Sequence, residues 1–294
     1  VHALPPGPLL LACSGGPDSL GLALLLRDRA PLLAYVDHRL RGPRAGGLER
    51  ARVRAAARAL GLPLARARVR VGPGGEAAAR RARFGALAAL ARKHGCAAVL
   101  TAHTADDRAE TILLNLLRGT GLRGLASPRP AAVVDGVLRL RPALDERRAD
   151  LRRPAAALGP VDDRTNRDTR GARARVRHLL LPALADALGE DPVPLLCAIG
   201  DLAAHAREAL EARARSLAGA GRAALLREAR ATFPYLVEAL RPAGPPLTGA
   251  AYASLRAFLR GGRGGRVHVT PAGDRWELRD GEVLVRAPDP RAAR

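Results

Sequence analysis

The stretch that decides the fold is "LLLACSGGPDSLGLALLL", residues 9–26. Leu9 to Cys13 is a continuous apolar run, the mark of a strand buried on both faces. It stops at Ser14-Gly15-Gly16. Pro17 belongs in the first turn of a helix, where its missing N–H costs nothing, and Leu20–Leu26 reads as that helix, buried. Two residues without a Cβ let the turn bend sharply and bring bare backbone N–H groups close to a ligand. Together with the Ser14 and Ser19 hydroxyls and the helix N-terminus, they form an anion cradle.

Outward from this handover the same grammar repeats. Apolar strand patterns recur at Leu32–Val36, Ala67–Val71 and Ala97–Thr101, with Val133–Leu140 as a fifth. Helical patterns cover Leu20–Arg27, Glu49–Leu60 and Glu76–His94. Strand–helix alternation predicts βαβ units: an α/β fold with a doubly wound, mostly parallel sheet. Ligands of such sheets bind beyond the carboxyl ends of the strands, where "SGGPDS", "DHRLRG" and "TAHTADD" gather. After Leu184 the character changes. Asp201–Ala218 reads as an Ala/Arg/Glu helix, broken by "GAG" at 219–221. Thr248–Arg260 reads as a helix, and Asp280-Gly281 between "WELR" and "EVLVR" predicts a hairpin, because glycine accepts the positive φ of such turns. The expected partition is a catalytic domain over 1–186, a helical connector over 187–219 and a small α+β module over 220–294.

The 294 residues carry a formal charge of +21, with 49 Lys and Arg against 28 Asp and Glu. Lys93 is the single lysine, so the basic residues are almost all arginine. So basic a chain attracts polyanions, nucleic acid first. Cys13, Cys96 and Cys197 form no CxxC pair, which argues against a disulfide framework or an all-cysteine zinc site and fits a reducing cytoplasm. The apolar run "PLLLAC" has no basic residue before it and is short for a leader, and no run is long enough to span a membrane.

Three further groups carry chemistry. Asp37 and His38 end the second strand pattern, where they suit Mg²⁺ or a nucleotide. In "HTADDRAETILLNLLRG", residues 103–119, Thr104 caps a helix with Asp107 in capping-box position. Asp106 and Glu110 share a face, with Asp107 beside them, and His103 stands just before the first turn. Clustered carboxylates suit Mg²⁺ or an incoming ammonium, although a helix N-terminus favours acids in any case. In "DDRTNRDTRGARARVRHLLLPAL", residues 162–184, Arg173, Arg175 and Arg177 alternate ahead of an apolar helix, as a phosphate-binding segment or a solvated one.

The first loop lacks the lysine of a Walker sequence and is not GxGxxG; it resembles the pyrophosphate-binding loop of the N-type ATP pyrophosphatases. With "VDHRLRG", "EAAARRARF" at 76–84, "AHTADDRAET", "NLLRGTGLRGL" and "DRTNRD…RARVRHLLLPAL", it follows the order and spacing of the tRNA(Ile)-lysidine synthetase family over the first two thirds of the chain. Ala174 stands where that family usually has Asn, and Thr104 where it commonly has His. The C-terminal third matches weakly.

The resemblance implies an enzyme that uses ATP and Mg²⁺ to adenylate the wobble cytidine of an isoleucine tRNA with a CAU anticodon. Free L-lysine then displaces AMP. It places the ATP phosphates on Ser14, Gly15, Gly16, Pro17, Asp18 and Ser19, with His38 near the adenylate. Asp37, His103, Asp106, Asp107 and Glu110 are the expected catalytic residues, with Asp18 and Asp106 at Mg²⁺. Arg80, Arg83, Arg118, Arg173, Arg175 and Arg177 are expected on ATP or tRNA phosphates. A homodimer is compatible with this reading. The alternatives are a tRNA thiolase of the same fold, which would want paired cysteines, and a non-catalytic RNA-binding protein.

Overall fold

The computed structural model describes residues 4–37, 42–69, 75–161, 171–217, 237, 249–261, 267–270, 274–279 and 282–286. The chain divides into two compact units, 1–114 with 128–197 and 115–127 with 198–294. The strands are β1 (Leu9–Ala12), β2 (Leu32–Asp37), β3 (Leu64–Arg68), β4 (Ala98–Leu100), β5 (Ala131–Val134), β6 (Val137–Leu140), β7 (Val267–Val269), β8 (Arg275–Arg279) and β9 (Glu282–Arg286). The helices are α1 (Pro17–Leu25), α2 (Gly42–Leu60), α3 (Gly75–Lys93), α4 (Ala105–Leu117), α5 (Leu122–Leu125), α6 (Arg148–Ala155), α7 (Ala172–Arg175), α8 (Leu181–Leu188), α9 (Pro192–Leu217) and α10 (Gly249–Gly261). A π-helical segment, Val176–Leu180, joins α7 to α8.

The first unit holds a six-stranded sheet in the order β3-β2-β1-β4-β6-β5. All neighbours pair in parallel except β5 and β6. The apolar run of β1 serves both faces. Leu9, Leu11 and Cys13 pack with Leu20 of α1, Val53 of α2 and Leu151 of α6. Leu10 points the other way, to Phe84, Leu87 and Ala91 of α3. With helices on both faces the sheet is doubly wound, as the alternation predicts. Helices α1 and α6 approach very closely: a Cβ at Gly21 would stand 2.1 Å from the Leu151 carbonyl oxygen.

Two strand boundaries differ from the pattern. β3 starts three residues before the expected Ala67, because the register with β2 runs from Leu33↔Leu64 to Asp37↔Arg68. As an edge strand it tolerates Arg66 and Arg68 on its exposed positions. The expected single strand Val133–Leu140 takes in the second half of β5, a turn and all of β6, which form an antiparallel hairpin. Asp135 (φ 52°) and Gly136 (φ 71°) are both left-handed, as a two-residue turn between twisted strands requires.

In the second unit, β7, β8 and β9 form an antiparallel sheet in sequence order. β8 and β9 flank the Asp280-Gly281 dipeptide with Arg279 opposite Glu282, the hairpin expected there. Trp276 is buried with Leu255 and Leu259 of α10 and with Val237. No helix of the described residues is long and apolar enough to cross a membrane.

Candidate active site

The sheet grows from β1 to β2 and β3 on one side, then crosses to β4 on the other. Beyond the carboxyl ends of the strands at such a reversal the connections part and leave a crevice. A cleft of about 330 Å³ lies there. It is lined by the 14–19 loop except Gly15, by Tyr35 and Val36 near the end of β2, by Thr101–His103 after β4, and by Glu49, Arg83, Phe84, Asp107 and Arg152.

The loop is held open by its own polar groups. Ser19 Oγ donates to the Gly16 carbonyl (2.9 Å) and accepts from the Ser14 N–H (3.2 Å). The Gly16 N–H reaches Ser14 Oγ at 3.4 Å, and the Leu20 N–H bonds the Gly16 carbonyl to start α1. Gly15 does not line the cleft. It has φ +81°, and a Cβ there would stand 3.2 Å from the Glu49 carbonyl oxygen and 3.3 Å from Val53. Its role is to let the loop fold back over α2.

Opposite the loop, α4 begins with the predicted capping box. The Thr104 N–H donates to Asp107 Oδ2 (3.0 Å), and the Asp107 N–H points back to Thr104 Oγ1 (3.4 Å). From this turn into the next, the acids Asp106, Asp107 and Glu110 meet arginines. Glu110 is 0% exposed. Its carboxylate accepts from Arg148 Nη2 (2.9 Å), Arg173 Nε (2.8 Å), and both Arg177 Nε (2.7 Å) and Nη2 (2.9 Å). Asp107 Oδ1 accepts from the same Arg148 (2.9 Å). Asp106 takes Arg147 Nη2 (3.2 Å) on one oxygen and the Arg148 N–H (2.7 Å) on the other, while Arg147 also pairs with Asp191. Burial pushes the Asp107 carboxyl up, but Arg148 and Arg173 outweigh it and hold the group at about 2. Glu110 is likewise raised by burial and lowered further by Arg177 and Arg148.

His103 shares a 2.9 Å hydrogen bond with Thr101 through Nδ1. Burial drives its basicity down, Asp107 works against this, and Arg141, Arg80 and Arg173 add to it, leaving a pKa of about 3. The imidazole facing the cleft is therefore neutral at pH 7.

The structure thus brings together Ser14, Gly16, Pro17, Asp18, Ser19, His103, Asp107 and Arg83 at one cleft. Arg173 and Arg177 join behind them through Glu110. The other expected residues are not among the described lining of that cleft. Asp37 ends β2 and pairs with Arg68 at 3.8 Å. Arg80 is exposed and lies over the Phe84 ring, 5.1 Å from its centroid. Arg175 points outward between its two neighbours. Arg118 belongs to the second unit, and His38 lies outside the described residues. Sequence reading missed Arg148 and Arg152 on α6. Their i, i+4 spacing in "RRADLRR" is the signal that was available.

For a metal, the described residues hold no cluster of three His, Cys, Asp or Glu arranged as ligands. Mg²⁺ commonly takes one or two carboxylates together with substrate phosphates. Asp18, in the loop on the cleft wall, suits that: each of its oxygens accepts one hydrogen bond from Arg152 and keeps a second lone pair. Asp106 does not line the cleft and so has no place in that set.

Residues 3–184 match the family described as the PP-loop domain. A tRNA(Ile)-lysidine synthase of Salinispora tropica is 43% identical over 222 residues, 71% of this chain and 66% of that protein. One of Novosphingobium aromaticivorans is 45% identical over 184 residues, 60% of this chain and 56% of that protein. The chain therefore spans somewhat less than two thirds of the curated relatives it matches. Among solved structures, the U34-tRNA thiolase NcsA of Methanococcus maripaludis, with its [4Fe-4S] cluster, superposes with a TM-score of 0.55 at 16% identity, over 67% of this chain and 73% of that one, a likeness of fold. A glycine-serine loop at the switch point of this sheet, with a family match spanning the whole sheet, leads to one assignment: the chain belongs to the PP-loop family.

Proposed function

We propose that the chain is an ATP-dependent ligase that joins free L-lysine to the wobble cytidine of an isoleucine tRNA with a CAU anticodon, giving lysidine, AMP and pyrophosphate. The observation that carries this reading is convergence. Motifs far apart in sequence, within 14–19 and at 83–84, 101–103, 107 and 152, line a single cleft, and proteins 42–45% identical bear the name of that enzyme.

In this reading the loop N–H groups and the helix N-terminus receive the ATP phosphates. The cytidine carbonyl oxygen attacks the α-phosphorus and pyrophosphate leaves; an uncharged lysine amine then displaces AMP. Holding the adenylate and the amine side by side supplies much of the rate. His103, neutral and weakly basic, acts as a hydrogen-bond partner in the cleft rather than as the store for the amine's proton. Asp106 and Glu110 work through the arginines they hold. Mg²⁺ arriving with the nucleotide would be held by Asp18 and would screen phosphate charge. The module over 220–294 is proposed to bind the tRNA body, using Arg222, Arg227, Arg230, Arg260, Arg263 and Arg266. Of these only Arg260 lies among the described residues, and it is exposed.

The test combines protein, ATP, Mg²⁺, labelled lysine and the tRNA, then digests the tRNA to nucleosides. Label is expected on the wobble cytidine through a bond that survives mild base. Label released by mild base, thiolation with a sulfur donor in its place, or equal use of arginine rejects the reading. Asp18→Ala is expected to abolish pyrophosphate release.

A further inference from the structure

The loop at 14–19 has no lysine, yet the group it is proposed to hold carries several negative charges. The chain's one lysine, Lys93, ends α3. That helix runs back from β3 to the start of β4, so Lys93 stands at the edge of the sheet away from the cleft. A strongly basic side chain for the phosphates, beside any Mg²⁺, must therefore be an arginine brought from elsewhere. Among the described residues two guanidiniums line the cleft, those of Arg83 and Arg152. Arg83 belongs to α3 and lies against the Phe84 ring, 5.2 Å from its centroid. Arg152 sits on the loop itself. Its Nε is 2.6 Å from Asp18 Oδ1 and its Nη2 is 3.1 Å from Asp18 Oδ2. This side-on pair uses one edge of the guanidinium, and Nη1 donates no hydrogen bond among the described residues.

We propose that Arg152 is the pyrophosphate-binding cation of this site, replacing from α6 the lysine that the loop lacks. The proposal rests on the ATP reading given above. When the acceptor oxygen bonds the α-phosphorus, the bond from that phosphorus to its bridging oxygen breaks. The electron pair leaves with pyrophosphate. Negative charge therefore grows at the loop end of the cleft, where a planar guanidinium offers two N–H groups to phosphate oxygens. Two features fix Arg152 there. Asp18 orients its far edge, and the close contact of Gly21 with Leu151, the residue before it, sets α6 directly against α1. A lysine could not bond Asp18 side-on and face a phosphate in the same geometry.

The experiment measures equilibrium binding of ATP, pyrophosphate and AMP, with Mg²⁺ throughout, to the full chain and to Arg152→Ala and Arg152→Lys. Melting curves check that the variants fold, and Arg152→Gln replaces the alanine variant if that one does not. Pyrophosphate and ATP affinity are expected to fall at least tenfold in Arg152→Ala, with AMP affinity within about twofold of the parent. Arg152→Lys should recover part of the loss. Unchanged pyrophosphate affinity overturns the proposal. An equal fall for AMP also overturns it, since Arg152 would then only prop Asp18 and the loop. A parent chain that binds neither ATP nor pyrophosphate overturns the ATP reading and this proposal together.

Discussion

The cleft has two walls that suit anions by different means. On one side the 14–19 loop uses neutral donors: the Ser14 and Ser19 hydroxyls and backbone N–H groups fixed by a left-handed Gly15. On the other side α4, α6, α7 and the π-helical segment after it assemble Arg148, Arg173 and Arg177 around the carboxylates of Asp107 and Glu110. The first wall draws its capacity from backbone geometry and responds little to pH. The second depends on acids that must stay ionised to hold like charges together. Function and stability therefore separate: damage to the loop should cost binding, and damage to the cluster should cost the fold.

The sharpest way to break this contrast is Glu110→Gln. It takes from three partly buried guanidiniums the fully buried one of their two shared carboxylates, leaving Asp107 alone to hold them, and removing one side of a buried ion pair costs about 3–5 kcal/mol. Chemical denaturation is expected to show a loss in that range; a loss under 1 kcal/mol would mean that the cluster is not a structural element. Next in size is Gly21→Ala. With backbone oxygen 2.1 Å from the new Cβ, α6 must shift, for about 1–3 kcal/mol, and ATP affinity should fall with it.

A pH titration of stability comes third. His103 titrates at about 3 in the fold against 6.5 ordinarily, so the fold favours its neutral form. Its contribution is complete above pH 6.5 and drains away as pH falls towards 3, by on the order of 2 kcal/mol at pH 5. Asp107 enters later. Its contribution is present above 3.8 and is lost as pH falls to about 2. Melting temperatures at pH 7 and pH 5 should differ clearly in the parent and much less in His103→Gln. The smallest stability effect belongs to the loop. Ser19→Ala should cost about 1 kcal/mol, the typical worth of a hydrogen bond, yet lower ATP affinity several-fold in a direct titration.

Most of the first wall was legible in the sequence because its signals are local. A buried strand, two glycines and a proline at N1 lie within ten residues, and the Thr104–Asp107 capping box spans four. The second wall was legible only in part. Its acids stand together in "ADDRAE", but Arg148 meets Glu110 from 38 residues away, and no local pattern reports such a pairing. The acids therefore read as a surface for Mg²⁺ or an ammonium when their charge is largely met by arginine. The misplaced fifth strand has another cause. Apolar residues on both sides of Asp135-Gly136 look continuous to a count of hydropathy, although the dipeptide itself is the turn.

The outer margins of the six-stranded sheet bear on a different property, the behaviour of the chain at high concentration. An unpaired strand edge is a template for other chains. Here one edge is β3, whose exposed positions are Arg66 and Arg68, so a second copy would bring like charges face to face. The other is β5, only four residues long and tied back by its hairpin. Val133 is 73% exposed there, but a ladder of four residues gives little to extend. The parallel strands in the middle are thus closed off from stacking with neighbouring molecules, which favours a chain that stays dispersed while it folds.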